Sequence, residues 1–425
     1  MRTVSAEEIV DIIGPNAKIG LGNACAEPQT LIESILDKRA CFKQLEIYGM
    51  IHYWTKRLEE SNQGCRIKLR LFMLDKYSSA GVKKGYADYI PCRYSKIPSL
   101  FLEGTIKLDA ALISVSPPDR RGRCSFGVSN DFTQAMAKTA EKTIAEVNPR
   151  MPVVGGDSWI DISDIDYMVE SDRQLPQVPA PELGDIDRKI GGYVSELVED
   201  RATVQVGIGR LSEAALASLS GKKGLGVHSG LLPEGIVDLV ENGAIDNSWK
   251  GLKEGRIVTT TIIGTDRLYD FVNNNKEVES YPSNYTHNEM TIARVNRLHS
   301  INSAVQVDFT GQINAETIGG AQVSGVGGQS DFVCGAALSK GGKSIVLITS
   351  TAKRGEESRI VPFLDGGSAV TSLRHDIDYV ISEYGIAELR GKTMRERAGA
   401  LIAIAHPDFQ ERLEKDKHSL FSSCF

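Results

Sequence analysis

The sequence predicts an α/β protein made of two similar open domains, each a largely parallel sheet with helices packed on it. Three observations predict this. Strand-like and helix-like segments alternate along the chain, the order that βαβ crossovers impose. A proline-rich stretch, Leu175-Pro-Gln-Val-Pro-Ala-Pro-Glu-Leu183, interrupts the alternation. After it, the same order of elements starts again. A chain of 425 residues exceeds one ordinary core, and two domains of roughly 200 residues each are the natural division. The expected domains are 1–183 and 184–425.

The elements follow in order. Asn16-Ala-Lys-Ile-Gly-Leu-Gly22 reads as a strand running into a glycine turn. Glu27 to Leu36 reads as a helix start, with Pro28 in the first turn and apolar residues at helical spacing. Ala110-Ala-Leu-Ile-Ser-Val115 is an unbroken apolar run, the mark of a strand buried on both faces. Gln134 to Val147, rich in Ala, Lys and Glu, reads as a helix. The prolines of Leu175–Leu183 favour an extended, semi-rigid linker. Beyond it, Asp185 to Arg201 reads as helix, Ala202 to Val206 as strand, Gly207-Ile208-Gly209 as a turn and Glu213 to Leu219 as helix. This repeats the strand, glycine turn and helix of the first half.

Bulk properties exclude several classes. Hydrophobic content of 41% and charged content of 24% are those of a globular chain. A net charge of −6 argues against a nucleic-acid partner. Apolar runs such as Ser344-Ile-Val-Leu-Ile348 are strand-sized, so no membrane span is expected. The opening Met1-Arg-Thr-Val-Ser-Ala-Glu-Glu has no apolar leader core, and a cytoplasmic location is expected. Seven scattered cysteines, Cys25, Cys41, Cys65, Cys92, Cys124, Cys334 and Cys424, form no CxxC pair and are expected as buried, reduced thiols. The seven histidines show no metal-ligand spacing, so no metal is expected. His406, after an apolar helix, reads as a capping or packing residue.

Three glycine-rich turns follow strand-like segments: Gly20-Leu-Gly22, Gly207-Ile-Gly209 and Ser324-Gly-Val-Gly-Gly-Gln-Ser-Asp331. Glycine lets backbone N–H groups approach an anionic or polarised ligand closely. Either of the first two alone is also what a tight strand-to-helix turn needs. The third places three glycines in four residues ahead of Gln329 and Asp331, more than a turn requires. Its amides suit an oxyanion hole. No GxSxG elbow occurs, and Gly207-Ile-Gly209-Arg-Leu-Ser212 lacks the third glycine of a dinucleotide fingerprint.

An ordered set of segments resembles the acetyl-CoA hydrolase/transferase family. It comprises Ala26-Glu27-Pro28, Tyr86-Ala-Asp-Tyr-Ile-Pro91, Val115-Ser-Pro-Pro-Asp119, Cys124-Ser-Phe-Gly127, Gly156-Asp-Ser158 and Asp164-Ile-Asp166. It continues through Leu268-Tyr-Asp-Phe271, Ser300-Ile-Asn-Ser303, Gly327-Gly-Gln-Ser-Asp-Phe332, Ser350-Thr-Ala352, Glu383 to Gly391 and Ala400 to Pro407. The resemblance covers nearly the whole chain. It implies two open α/β domains of the CoA-transferase type, similar to sugar-phosphate isomerases, with acyl-CoA between them. It implies transfer of CoA between short-chain carboxylic acids of the acetate, butyrate or 4-hydroxybutyrate type. The expected substrates are acyl-CoA and a carboxylate, and the expected assembly is a homo-oligomer, dimer or larger. By this resemblance Gly207, Ile208, Gly209, Asn302, Gly327, Gly328 and Gln329 contact CoA or the acyl oxygen.

One departure bears on mechanism. The family's nucleophile is a glutamate, and the matching position in Val227-His-Ser-Gly230 is Gly230. A carboxylate suits that chemistry because it both attacks and leaves. Glu234 lies four residues on, a reach of roughly 13 Å in extended chain, and its position reads as the cap of the next helix. Ser229 faces the opposite side of an extended segment. Glu27 is the remaining candidate carboxylate, with a charge at a helix N-terminus as its alternative role. Three functions stay open: a CoA-transferase using another carboxylate or direct attack by the acceptor, an acyl-CoA hydrolase with a water in the space left at Gly230, and a CoA-binding protein of low turnover.

Overall fold

The computed structural model describes residues 2–60 and 66–423. The chain forms two compact units, each assembled from three separate stretches of sequence. The first comprises Met1–Pro179, Arg256–Thr286 and Val323–Gly327; the second comprises Ala180–Gly255, His287–Gln322 and Gly328–Phe425.

The first unit carries an eight-stranded sheet: β1 (Arg2–Thr3), β2 (Asn16–Leu21), β3 (Gln44–Gly49), β4 (Ile67–Leu71), β5 (Ala87–Tyr89), β6 (Ala110–Val115), β7 (Thr143–Val147) and β8 (Tyr167–Glu170). Their order is β1-β8-β7-β6-β2-β3-β4-β5, and every pairing is parallel. The apolar run of β6 is buried along its length. Its residues alternate between two cores: Ala110 and Leu112 join one cluster, Ala111, Ile113 and Val115 the other. This two-residue period fills both faces of the sheet.

Helix α1 spans Gln29–Asp37 and α2 spans Thr133–Thr139. The expected helix from Gln134 to Val147 therefore ends at Thr139, and Thr143–Val147 is strand β7, buried throughout. Composition misleads here because Glu146 looks like a solvent-facing helix residue. It is buried instead, and its carboxylate accepts hydrogen bonds from Thr30 N (2.8 Å), Thr30 Oγ1 (3.0 Å) and Leu31 N (3.3 Å). Glu146 thus supplies the anion at the N-terminus of α1, a role the sequence offered to Glu27.

The first part of the proline-rich stretch, up to Pro179, belongs to the first unit and is anchored there. Val178 N donates to Gly264 O at 2.9 Å, and Tyr269 Oη donates to Pro176 O at 2.6 Å.

The second unit carries β9 (Thr203–Val206), β10 (Gly226–Val227), β11 (Leu298–Ser303), β12 (Lys343–Leu347), β13 (Tyr379–Ser382) and β14 (Gly385–Glu388). Their order is β10-β9-β11-β12-β13-β14, parallel except for the final hairpin. The helices that matter for the site are α3 (Asp185–Leu197), α4 (Arg210–Ala217), α5 (Gly235–Glu241) and α6 (Gln329–Leu338).

Cys25 and Cys124 are buried as expected, Cys92 and Cys334 are half-buried, and Cys41 is exposed, a correction for that thiol. Cys65 and Cys424 lie outside the described residues. His406 packs edge-on against Tyr384 with ring centroids 5.4 Å apart, in keeping with a packing role. Among the described residues, no helix is long and apolar enough to cross a membrane.

Candidate active site

In the second unit, β9 ends at Val206 and the chain turns through Gly207-Ile208-Gly209 into α4. Gly207 N donates to Ile301 O at 2.9 Å, which ties the turn to β11. A Cβ on Gly207 would lie 3.0 Å from Asn302 Oδ1, so the backbone rides directly over that side chain. Gly209 has φ +115° and ψ 177°, a region open to glycine alone, with no heavy atom near its missing Cβ. Ile208 between them is 57% exposed. The turn thus presents accessible backbone at the N-terminus of α4.

Beneath it lies a closed polar network. Gln205 Nε2 donates to Asn302 Oδ1 (3.1 Å), and Asn302 Nδ2 donates to Gln205 Oε1 (3.0 Å) and Ser300 Oγ (2.9 Å). Ser300 Oγ donates in turn to Gln205 Oε1 at 2.9 Å. All three side chains are buried. Both amide hydrogens of Asn302 are engaged within the network, so its geometry is that of a support under Gly207.

Glu213, in the first turn of α4, escaped the sequence reading. Burial pushes its carboxyl up to about 6, and the neighbouring Glu234 and Asp238 add to the effect. Glu234 occupies the position before α5 as expected, but its side chain makes no capping hydrogen bond.

Strand β10 delivers His228-Ser229-Gly230. Lys250, fully buried, donates from Nζ to Val227 O at 2.6 Å, and Ser229 Oγ lies 3.3 Å from both Val206 N and Val206 O. Ser229 therefore faces β9, as its alternation predicts. A Cβ on Gly230 would fall 2.2 Å from Nε2 of His287. The position that a side chain on Gly230 would enter first is filled by this imidazole. The same ring blocks a Cβ on Gly328, at 2.5 Å from Cδ2 and 2.6 Å from Nε2. His287 is 2% exposed and packs edge-on to Phe332 at 4.9 Å; His228 meets the same phenyl ring at 6.3 Å. The sequence offered one signal for His287, a pair of glycines at 230 and 328 that no turn demanded.

Gly328 stands just before α6, and Gln329 opens the helix with Nε2 donating to Ser372 Oγ at 3.4 Å. Helix geometry leaves the first-turn N–H groups without intrahelical acceptors. Gly327 belongs to the first unit, where its φ is +52° and its carbonyl accepts from Tyr94 N at 3.3 Å. Gly20 and Gly22, also in the first unit, are packing glycines. A Cβ on Gly20 would strike Met136 Sδ at 2.5 Å, and one on Gly22 would meet Ala26 O at 3.0 Å.

Glu27 also lies in the first unit, on the loop after β2. Asn23 braces that loop, donating to Asp131 Oδ2 at 3.0 Å and accepting from Met50 N at 2.8 Å. Glu27 is buried; its Oε2 accepts from Tyr53 N at 3.0 Å and lies 4.0 Å from His52 Nδ1. Burial pushes its carboxyl up to about 8, with the charge of Glu146 adding and the Tyr53 and Trp54 N–H groups opposing. Burial therefore favours the protonated form of the Glu27 carboxyl. The nearby Cys25 thiol is also held above its usual value by burial. Among the described residues, no group of three His, Cys, Asp or Glu side chains is placed to hold a metal ion.

Comparison with known proteins agrees across the chain. Residues 1–179 match the family model described as acetyl-CoA hydrolase/transferase N-terminal domain, and residues 264–417 match the C-terminal domain of the same family. The chain is 45% identical to 4-hydroxybutyrate coenzyme A transferase of Clostridium kluyveri over 97% of its own length and 96% of that protein. Among solved structures it resembles RipA from Yersinia pestis, with a TM-score of 0.93 and 32% identity over 99% of this chain and 98% of that one. It also resembles 4-hydroxybutyrate CoA-transferase from Porphyromonas gingivalis, with a TM-score of 0.84 and 36% identity over 98% of this chain and 97% of that one. With both of its domain models matched, the chain belongs to the acetyl-CoA hydrolase/transferase family.

Proposed function

We propose that this protein is an acyl-CoA:carboxylate CoA-transferase acting on short-chain acids of the acetate, butyrate or 4-hydroxybutyrate type. The observation that carries this reading is the 45% identity to a CoA transferase along almost the full length of both chains. The open turn at Gly207, Ile208 and Gly209, supported by Asn302, suits the approach of CoA to backbone N–H groups. The amides of Gly327, Gly328 and Gln329 suit an oxyanion developing on the thioester carbonyl. Glu27 stays the candidate carboxylate for the reaction, with burial favouring its protonated form. In this reading Gly230 stands where the family carries its glutamate, and the protein works as a cytoplasmic homo-oligomer.

Acyl-CoA hydrolysis is the second reading, favoured by the missing carboxylate at Gly230. Binding of CoA with little turnover is the third. Free thiol release from acetyl-CoA, followed with and without acetate, propionate, butyrate or 4-hydroxybutyrate, separates them. Transferase activity gives new acyl-CoA without net thiol release. Thiol release without any acceptor means hydrolysis. CoA binding with neither product leaves the third reading.

A further inference from the structure

Gly230 and Gly328 share one reason for being glycine. Gly230 does not have a positive φ, and Gly328 has φ −94°, so backbone conformation does not demand glycine at either position. What excludes a side chain at both is the imidazole of His287, 2.2 Å from a Cβ on one and 2.5 Å from a Cβ on the other. The ring is no flexible tip able to swing away. It is 2% exposed and lies against Phe332, itself 1% exposed. Close packing of this kind leaves no room for a second side chain.

We infer that His287 is a positioning residue that takes the volume of the missing nucleophile, so that acyl transfer here runs directly between the two substrates in a ternary complex. This rests on the CoA-transferase reading above. An oxygen of the acceptor carboxylate attacks the thioester carbonyl carbon. The C–S bond breaks, and its electron pair leaves on sulfur as CoA thiolate, giving the mixed anhydride of the two acids. The thiolate then attacks the acceptor's carbonyl carbon. The C–O bond to the bridging oxygen breaks, and the donor acid leaves as its carboxylate. No protein atom is consumed, and one acceptor oxygen ends in the released acid.

Two measurements on the wild-type protein test this. Initial rates at varied acyl-CoA and acetate should give intersecting lines. In a single turnover with ¹⁸O-labelled acetate as acceptor, the acid released should carry one ¹⁸O atom. A covalent carboxylate route would give parallel lines and an unlabelled first product, because the oxygen would come from the protein. Those two results together overturn the inference while leaving the transferase reading intact. Failure of wild-type protein to exchange acyl groups with any of the acceptors removes that reading, and the inference with it. The variants address His287 itself. His287→Ala combined with Gly230→Glu should show parallel lines and a borohydride-reducible CoA adduct on the peptide containing position 230, whereas Gly230→Glu alone should carry no adduct. A well-folded Gly230→Glu single variant that forms the adduct with His287 in place would also overturn it.

Discussion

Oε2 of Glu27 faces Nδ1 of His52 at 4.0 Å, and burial drives the two groups in opposite directions. The carboxyl is pushed from 4.5 up to about 8, and the imidazole is pushed from 6.5 down to about 3. Burial thus favours the neutral form of both, an acid beside a base.

This pair predicts the shape of the stability curve. Between pH 4.5 and about 8 the unfolded chain has lost the Glu27 proton while the folded chain keeps it, so stability contributed by Glu27 falls as pH rises. Between about 3 and 6.5 the unfolded chain holds the His52 proton and the folded chain does not, so stability contributed by His52 falls as pH drops. The two slopes cancel between 4.5 and 6.5 and act alone outside that window. Urea denaturation should show Glu27→Gln abolishing a loss of up to about 1.4 kcal/mol per pH unit between 6.5 and 8. The acid-side loss should persist in that variant. An unchanged alkaline slope in Glu27→Gln would remove the claim that burial favours the protonated form of Glu27.

The second prediction tests the contact of His287 with Gly230. Gly230→Ala adds one methyl group where the ring already lies 2.2 Å away. Overpacking of this kind costs about 1–3 kcal/mol. On a His287→Ala background the same change should cost little, because the conflicting atoms are gone. A double-mutant cycle in urea should return a coupling of about 1 kcal/mol or more. Additive losses would mean that the ring moves aside freely.

The third concerns the network under Gly207. Asn302→Ala leaves the buried Gln205 amide and Ser300 hydroxyl short of partners, at a cost of about 1–3 kcal/mol. CoA affinity should fall with it, measured by titration calorimetry. Gln205→Ala should lower CoA affinity by a similar factor, since the network acts as a unit. Loss of affinity in Asn302→Ala alone would instead mean that Asn302 touches CoA itself.

The parts of this fold legible in the sequence are those set by local rules. The unbroken apolar run Ala110–Val115 and the strand-turn-helix at Val206 to Arg210 announce themselves through periodicity and glycine. Strand β7 was hidden because Glu146 is tolerated in the interior only through donors on Thr30 and Leu31, far away in sequence. His287 was hidden for a similar reason. Nothing local marks that histidine, and its partners Gly230, Gly328 and Phe332 meet it only in the folded chain. The absence of a carboxylate at Gly230 was visible in the residues, but what fills the space was not.

The last prediction separates two glycines that look alike in sequence. At Gly207 the constraint is spatial, with Asn302 Oδ1 3.0 Å from a would-be Cβ; at Gly209 it is conformational, with φ +115° and open space around it. Gly209→Ala should therefore strain the backbone by about 1–3 kcal/mol without any steric clash. The turn can relieve that strain by rotating toward negative φ, which re-aims the N–H groups at the head of α4. CoA at 100 times its dissociation constant should stabilise the wild-type protein by about 2.7 kcal/mol. At the same ligand concentration Gly209→Ala should show a much smaller thermal shift, because its affinity falls with the turn's geometry. A folded Gly209→Ala protein with the wild-type shift would mean that CoA does not use this turn, and the assignment of Gly207, Ile208 and Gly209 would have to be withdrawn.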